Sequence, residues 1–360
     1  MAFPVRRKLR TLWRYLWPSR ADRAYLSIIA KSGLFDRDFY IASNPGLNPV
    51  FHLWPERHYV QLGEAHGCCP TPEFSPRAYL FYNPDLRHEA RPFAHYIQQG
   101  GGAMARPAVP PPAPQMPQVT PRDLRARAHA PRVAVVLHLY YLDLWPQMAA
   151  RLAGQRFAFD LRVTLTDQPG ALAVSEQIRA TYPDARVWIV PNHGRDIWPF
   201  VWLVGQGVLQ GYDAVVKLHS KKSPHLTIGD AWRDRLLEAV LPAPDVAQAR
   251  LDGFLADETA GLMAAGDNLL RGDKWWSINK PRAEAVARRI ALDLPSPLVF
   301  PAGSMFWVKA PVLTQVAALA LTAEDFEPEE ALVEGTTAHA LERLMGPLVQ
   351  GCGLRMVPAV

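Results

Sequence analysis

From Val133 onward the chain alternates short β-branched or apolar runs with helix-like segments. That alternation restricts the fold more than any other feature. Val133–Leu139 is apolar except at His138, the pattern of a strand covered on both faces in a parallel sheet. Further strands are expected over Phe159–Thr166, Val187–Val190 and Ala214–His219, and helices over Trp145–Leu152, Leu172–Thr181 and about Pro199 to Leu209. Strands alternating with helices predict a doubly wound α/β domain over residues 132–360. Ligands of such sheets sit beyond the carboxyl ends of the strands, so the polar segments that follow strands are the places to look for chemistry.

The proline distribution divides the chain. Residues 104–131 hold eight prolines, including Pro110, Pro111 and Pro112, which predicts an extended spacer between folded units. Upstream of it, over residues 21–103, the sequence repeats. Phe35, Tyr40, Asn44, Pro45 and Leu47 recur 39 residues later as Phe74, Tyr79, Asn83, Pro84 and Leu86. His58-Tyr59 and Gly63 return as His95-Tyr96 and Gly100. Asp36 and Ser75 stand where N-caps would, and each Asn-Pro ends a short helix. Two helical copies of about 38 residues would share an aromatic core. One His beside Tyr per copy, with no carboxylate or Cys at ligand spacing, reads as a packed or capping residue rather than a metal ligand. The module suits interaction or positioning.

Charge is uneven. Residues 1–23 carry Arg6, Arg7, Lys8, Arg10, Arg14, Arg20 and Arg23 against Asp22 alone, more than the formal +5 of the whole chain. The body is therefore slightly acidic and has no footprint for nucleic acid. In residues 1–20, Leu9, Leu12, Trp13, Leu16 and Trp17 share one helical face opposite the arginines. Two readings stand: a reversible contact with an anionic membrane surface, or a helix packed on the next unit. Three cysteines, Cys68, Cys69 and Cys352, make neither a disulfide framework nor a zinc pattern. With no apolar run of ~18 residues and no signal-peptide core, the expectation is a cytoplasmic protein, peripheral on the inner face of the plasma membrane.

Four segments of the second domain attract attention. His138-Leu139-Tyr140 ends the first strand, and Asn192-His193-Gly194-Arg195-Asp196 follows the third. Lys217-Leu218-His219-Ser220-Lys221-Lys222-Ser223-Pro224-His225 ends the fourth. Phe300–Trp307 reads as one β run broken at Gly303-Ser304, where backbone must approach something closely. Lys217 and His219 alternate on one face of an apolar strand, and a buried charge without a partner is costly, so anion binding is preferred over a solvated loop. Arg195 and Asp196 either cap the next helix or bind ribose or sugar hydroxyls.

The second domain resembles the rhamnan synthesis protein F family of bacterial polysaccharide enzymes. The likeness rests on the HLYY segment of the first strand, VPNHGRDIWPF, YDAVVKLHSKKSPH followed by GDAWR, FPAGSMFW, and FEPEEALVEGTTAHALERL. The repeat module resembles units attached to bacterial glycosyltransferases. The resemblance implies a GT-A-like (Rossmann-like) fold and sugar transfer, rhamnose included, from a nucleotide-diphospho-sugar donor to a lipid-linked or polymeric glycan acceptor of O-antigen, capsule or rhamnan. It departs from that pattern in one place: Lys217-Leu218-His219 stands where such enzymes carry Asp-x-Asp. No metal ligand is assigned, and a divalent Mg or Mn ion is not favoured.

On that basis Lys217, His219, Lys221, Lys222 and His225 are expected at the diphosphate. His138, Tyr140, Asn192, Arg195, Asp196, Gly303 and Ser304 are expected at the nucleotide or sugar. Glu334 is the first candidate for the catalytic base and Asp196 the second; Glu334 serves equally well as an acid at the start of the helix Thr336–Leu344. The alternative function is a non-catalytic carbohydrate-binding or assembly protein with the same fold. A phosphotransferase ranks last, because no GxxxxGK[ST] is present.

Overall fold

The computed structural model describes residues 18–44, 47, 49–86, 88–101, 113–124, 132–220, 229–327 and 334–359. The amphipathic face of the tail, the triple-proline stretch, and Lys221, Lys222 and His225 lie outside the described residues. The chain forms two compact units, Met1–Pro112 and Ala113–Val360.

The first unit is built from α1 (Arg20–Ser32), α2 (Arg37–Ser43), α3 (Pro55–His58), α4 (Pro76–Tyr82) and α5 (Pro92–Gln98). Helices α2 and α4 start and stop alike. Asp36 accepts from Phe39 N and Ser75 from Ala78 N, while Asn44 and Asn83 each donate back to a tyrosine carbonyl at 2.7 Å. Those tyrosines, Tyr40 and Tyr79, share hydrogen bonds with His58 Nδ1 at 2.8 Å and His95 Nδ1 at 2.9 Å. The core is mainly aromatic: Tyr59 packs edge-on to Tyr40 and Phe93, and Tyr96 lies edge-on to Tyr79. Within it the buried Glu64 accepts from Tyr25 Oη at 2.8 Å and from Phe93 N at 3.1 Å, so its burial is compensated.

The second unit carries a seven-stranded mixed sheet. Its elements run β1 (Val133–Leu139), α6 (Trp145–Ala153), β2 (Asp160–Thr166), α7 (Ala171–Thr181), β3 (Arg186–Val190), α8 (Ile197–Gly205), β4 (Ala214–His219), α9 (Gly229–Val240), α10 (Pro244–Ala256), β5 (Ala260–Ala265), β6 (Leu269–Arg271), α11 (Lys280–Ala287), β7 (Val299–Pro301), β8 (Phe306–Lys309), α12 (Ala310–Ala318), α13 (Thr337–Gly351) and β9 (Arg355–Ala359). The strand order is β3-β2-β1-β4-β8-β5-β9, with β8 antiparallel to both neighbours and the other pairings parallel. Strands β1, β2 and β4 are buried along their whole length; β1 and β4 read as mainly apolar runs, whereas β2 buries Asp160, Arg162, Thr164 and Thr166 on alternate positions. One apolar cluster covers each face of the sheet.

Three expectations need correction. Phe300–Trp307 is not one strand. Val299–Pro301 pairs with β6, and the chain then turns through Gly303 (φ 90) and Ser304 (φ 55) to enter the main sheet as β8. The helix expected from Pro199 is seated earlier, over Ile197–Gly205, because the turn at Gly194 already directs the chain into it. Residues 113–124 are not a bare spacer: Met116 and Val119 pack against the core of the second unit, and Asp123 pairs with Arg186 at 3.5 Å.

Helix α13 crosses β7 at Gly346, where an added Cβ would run into the Val299 carbonyl oxygen. Backbone cannot yield as a flexible side chain can. Gly346→Ala is expected to lower the unfolding free energy by about 2–4 kcal/mol. Gly205 on α8, with nothing near its missing Cβ, should gain about 0.5–1 kcal/mol on substitution by Ala. Urea unfolding of both variants checks the pair, and equal effects would contradict the close approach.

Candidate functional site

The strand order reverses between β1 and β4: the chain builds outward through β2 and β3, then crosses back to lay β4 on the other side of β1. In open α/β sheets ligands bind beyond the carboxyl ends of the strands at such a reversal, here those of β1 and β4. His138 and His219 are register partners there.

Lys217, two residues before His219, is 1% exposed. Its ammonium donates to Asp196 Oδ2 at 2.5 Å, to Ser304 O at 2.9 Å and to Ser304 Oγ at 3.0 Å. The Phe200 and Phe306 rings flank it at 5.6 and 5.7 Å. Three acceptors satisfy its three protons. Among the described residues Lys217 is therefore a buried post holding two loops to the sheet. His219 Nε2 donates to Gly303 O at 2.9 Å and lies 3.8 Å from Asp196 Oδ2. Gly303, at φ 90, has no room for a side chain: a Cβ would lie 2.8 Å from Leu236 Cδ1.

Asp196 opens α8 but makes no side-chain cap; its carboxylate turns to Lys217 instead, so of the two readings of this residue the capping one is set aside. Gly194 and Arg195 both take φ 59. A Cβ at Gly194 would collide with Trp198 and Phe326, and His193 Nε2 donates to Ala323 O at 2.8 Å, so the loop is clamped from both sides. Asn192 is exposed on it. Tyr140 is 40% exposed just past β1. Ser220 donates its N–H to His138 O and accepts from Tyr141 N, each at 2.8 Å, which ties the ends of the two central strands together.

Glu334 belongs to an adjoining network. Arg343 Nη2 meets Glu334 Oε1 at 2.6 Å, Asn279 Nδ2 donates to Glu334 Oε2 at 2.5 Å, and Arg343 Nη1 meets Glu342 Oε2 at 2.9 Å. Glu342 Oε1 in turn accepts from Gly303 N at 2.9 Å, so the network ends on the same turn that His219 holds. Glu334 is not the acid at the start of α13. Thr336 accepts from His339 N and Glu327 Oε2 accepts from Thr337 N, doing that work. Glu342, Arg343 and Asn279 were not singled out from the sequence. The one signal available was Arg343, a cation among the buried positions of a helix.

Two histidines here are neutral at pH 7. Burial pushes the His138 pKa down to about 3, with His219 and Lys217 adding to the effect against Asp196; His138 Nδ1 shares a hydrogen bond with Thr164 Oγ1 at 2.9 Å. Burial, with Arg195 next, lowers His339 to about 4. Among the described residues no group of three or more His, Cys, Asp or Glu side chains forms a metal site.

Fold and site together define an α/β protein whose buried polar groups gather at the topological switch point of its sheet. Residues 110–353 match the family described as rhamnan synthesis protein F, and the chain belongs to that family. That family is described by its part in rhamnan synthesis. The chain is also 33% identical over 236 residues to a protein called uncharacterized protein WxcX in two strains of Xanthomonas campestris pv. campestris. That match covers 65% of this chain and 34% of each relative, so the chain spans about a third of the length of the curated relatives it matches.

Breaking the buried pair has a defined signature. Lys217→Met should cost about 2–4 kcal/mol by leaving Asp196 and Ser304 without their cation, and Lys217→Met with Asp196→Leu should recover at least half of that loss. Strictly additive losses in urea unfolding would mean that the two residues act independently. Acid adds a second test. His138 and His339 have folded pKa values below the unfolded value of about 6.5, so the unfolded state takes up protons first as pH falls. Each histidine's contribution is present above pH 6.5 and declines from there to about pH 3 for His138 and about pH 4 for His339, by at most about 1.4 kcal/mol per pH unit. The slope of unfolding free energy against pH between 7 and 5 should shrink in His138→Gln; an unchanged slope would refute this assignment.

Proposed function

We propose that the chain is a glycosyltransferase that takes a sugar, rhamnose being the first choice, from a nucleotide-diphospho-sugar and adds it to a growing cell-surface polysaccharide. The observation that carries this reading is the topological switch point, where His138 and His219 are register partners on β1 and β4 and the chain continues from β4 into the basic sequence Ser220-Lys221-Lys222. The antiparallel β8 between β4 and β5 is compatible with a GT-A type of nucleotide-sugar-binding sheet.

In this reading the acceptor hydroxyl attacks the anomeric carbon, the bond from that carbon to the diphosphate oxygen breaks, and the hydroxyl proton passes to a carboxylate. Lys221, Lys222 and His225 meet the charge developing on the leaving diphosphate, and preorganised cations contribute most where water is excluded. Lys217 acts as a positioning residue, since its protons are already taken by Asp196 and Ser304. Asn192, Arg195 and Tyr140 face the donor from the rim. Asp196 and Glu334 remain the candidate bases. Both already face a cation, an arrangement that suits equally the alternative of a carbohydrate-binding assembly protein. The basic tail would keep the protein at an anionic membrane surface. No helix among the described residues is long and apolar enough to cross a membrane.

Calorimetric titration of the full chain with dTDP-, UDP- and GDP-sugars, with and without EDTA, tests the donor. At least one should bind, with an affinity that chelation changes by less than about tenfold. Failure of the whole panel would refute the reading, and a larger loss restored by manganese would assign the diphosphate to a carboxylate-held cation. Product formation from a lipid-linked acceptor, abolished by Lys221→Ala with Lys222→Ala, supports catalysis; glycan binding without turnover in the unaltered protein would favour the assembly role.

A further inference from the structure

The sheet has a second opening on the same edge. Strands β4, β5 and β9 all run parallel to β1, directly or through the antiparallel β8, so they end on one side. Beyond the ends of β5 and β9 lies a cleft of about 600 Å³, walled by Trp232 and Arg235 of α9 and floored by Asp267 and Asn268 after β5. That size suits a small ligand.

The wall is fixed. Glu238 pairs with Arg151 at 2.9 Å, and Arg250 donates to Ala239 O at 2.6 Å. The side chains of Arg235, Asp267 and Asn268, by contrast, make no hydrogen bond or ion pair among the described residues. A cation, a carboxylate and a carboxamide therefore border the cleft uncommitted, beside an indole. Phosphate would meet Asp267 and Glu238 as like charges, whereas a polyhydroxylated neutral ligand uses donors and acceptors together and can lay its C–H face on Trp232.

The cleft also adjoins the candidate site through a single turn. Ala302 N donates to Asn268 O at 2.8 Å on the cleft side. Gly303 rests against Leu236 and Trp232, while its carbonyl accepts from His219 and its neighbour Ser304 holds Lys217. We infer that this cleft binds the saccharide acceptor, with the Gly303-Ser304 turn separating it from the nucleotide-sugar crevice. The assignment of the bound sugar as acceptor rests on the proposed transferase reading; the saccharide site itself does not.

Saturation-transfer NMR and titration of the full chain with a rhamnose disaccharide, with mannose and galactose disaccharides beside it, provide the test. The unaltered protein should bind at least one of them. Asp267→Ala with Asn268→Ala, and separately the exposed Arg235→Ala, should weaken that binding by about tenfold or more while leaving nucleotide-sugar affinity and the near-ultraviolet dichroism unchanged. Retained saccharide affinity in these variants, or no saccharide binding by the unaltered protein, would overturn the inference. Saccharide binding that the variants lose, in a protein that binds no nucleotide sugar, would uphold the cleft and overturn the transferase reading instead.

Discussion

The ion pair between Lys217 and Asp196 is the constraint on which the second unit's polar edge depends. A lysine in the middle of a buried strand is tolerable only if each of its protons finds an acceptor, because an uncompensated ammonium in that position costs several kcal/mol. The three acceptors come from two separate loops: Asp196 at the start of α8, and the carbonyl and hydroxyl of Ser304 at the turn before β8. Satisfying one buried charge therefore sets the position of both loops relative to β4. The left-handed backbone at Arg195 and Ser304 is held in place by the same demand.

From that post the polar contacts spread outward. His219 holds Gly303 from one side and Glu342 holds it from the other, and Glu342 leads through Arg343 to Glu334 and Asn279. Such a chain adds modest net stability, since desolvation offsets much of the attraction; what it defines is a single arrangement, because any shift leaves a buried group without its partner.

The first unit reaches the same end by other means. Its helices are too short to be stable alone, and it relies on aromatic rings packed edge to face, with Tyr40–His58 and Tyr79–His95 hydrogen bonds at the rim. Matching caps at Asp36 and Ser75 could be anticipated because capping is a local property, decided within three residues.

Local and periodic features were accordingly legible from the sequence alone. Val133–Leu139 and Ala214–His219 are strands within the limits their mainly apolar runs suggested, because a strand covered on both faces admits polar residues only where they find partners. The carboxyl-end segments stood out because polar residues there interrupt such runs. That Lys217 needed a partner was also evident; its identity was not, since Asp196 lies 21 residues away and Ser304 87. The single run read at Phe300–Trp307 became two strands in different sheets, because strand pairing is decided by partners distant in sequence. Nothing in the local pattern marked Arg235, Asp267 and Asn268 as neighbours. The sequence by itself determined which segments are buried and which polar residues needed compensation, because burial and capping act through composition and short-range spacing. Only the tertiary structure decided which groups compensate one another and where the openings lie, because those depend on the order in which the strands assemble.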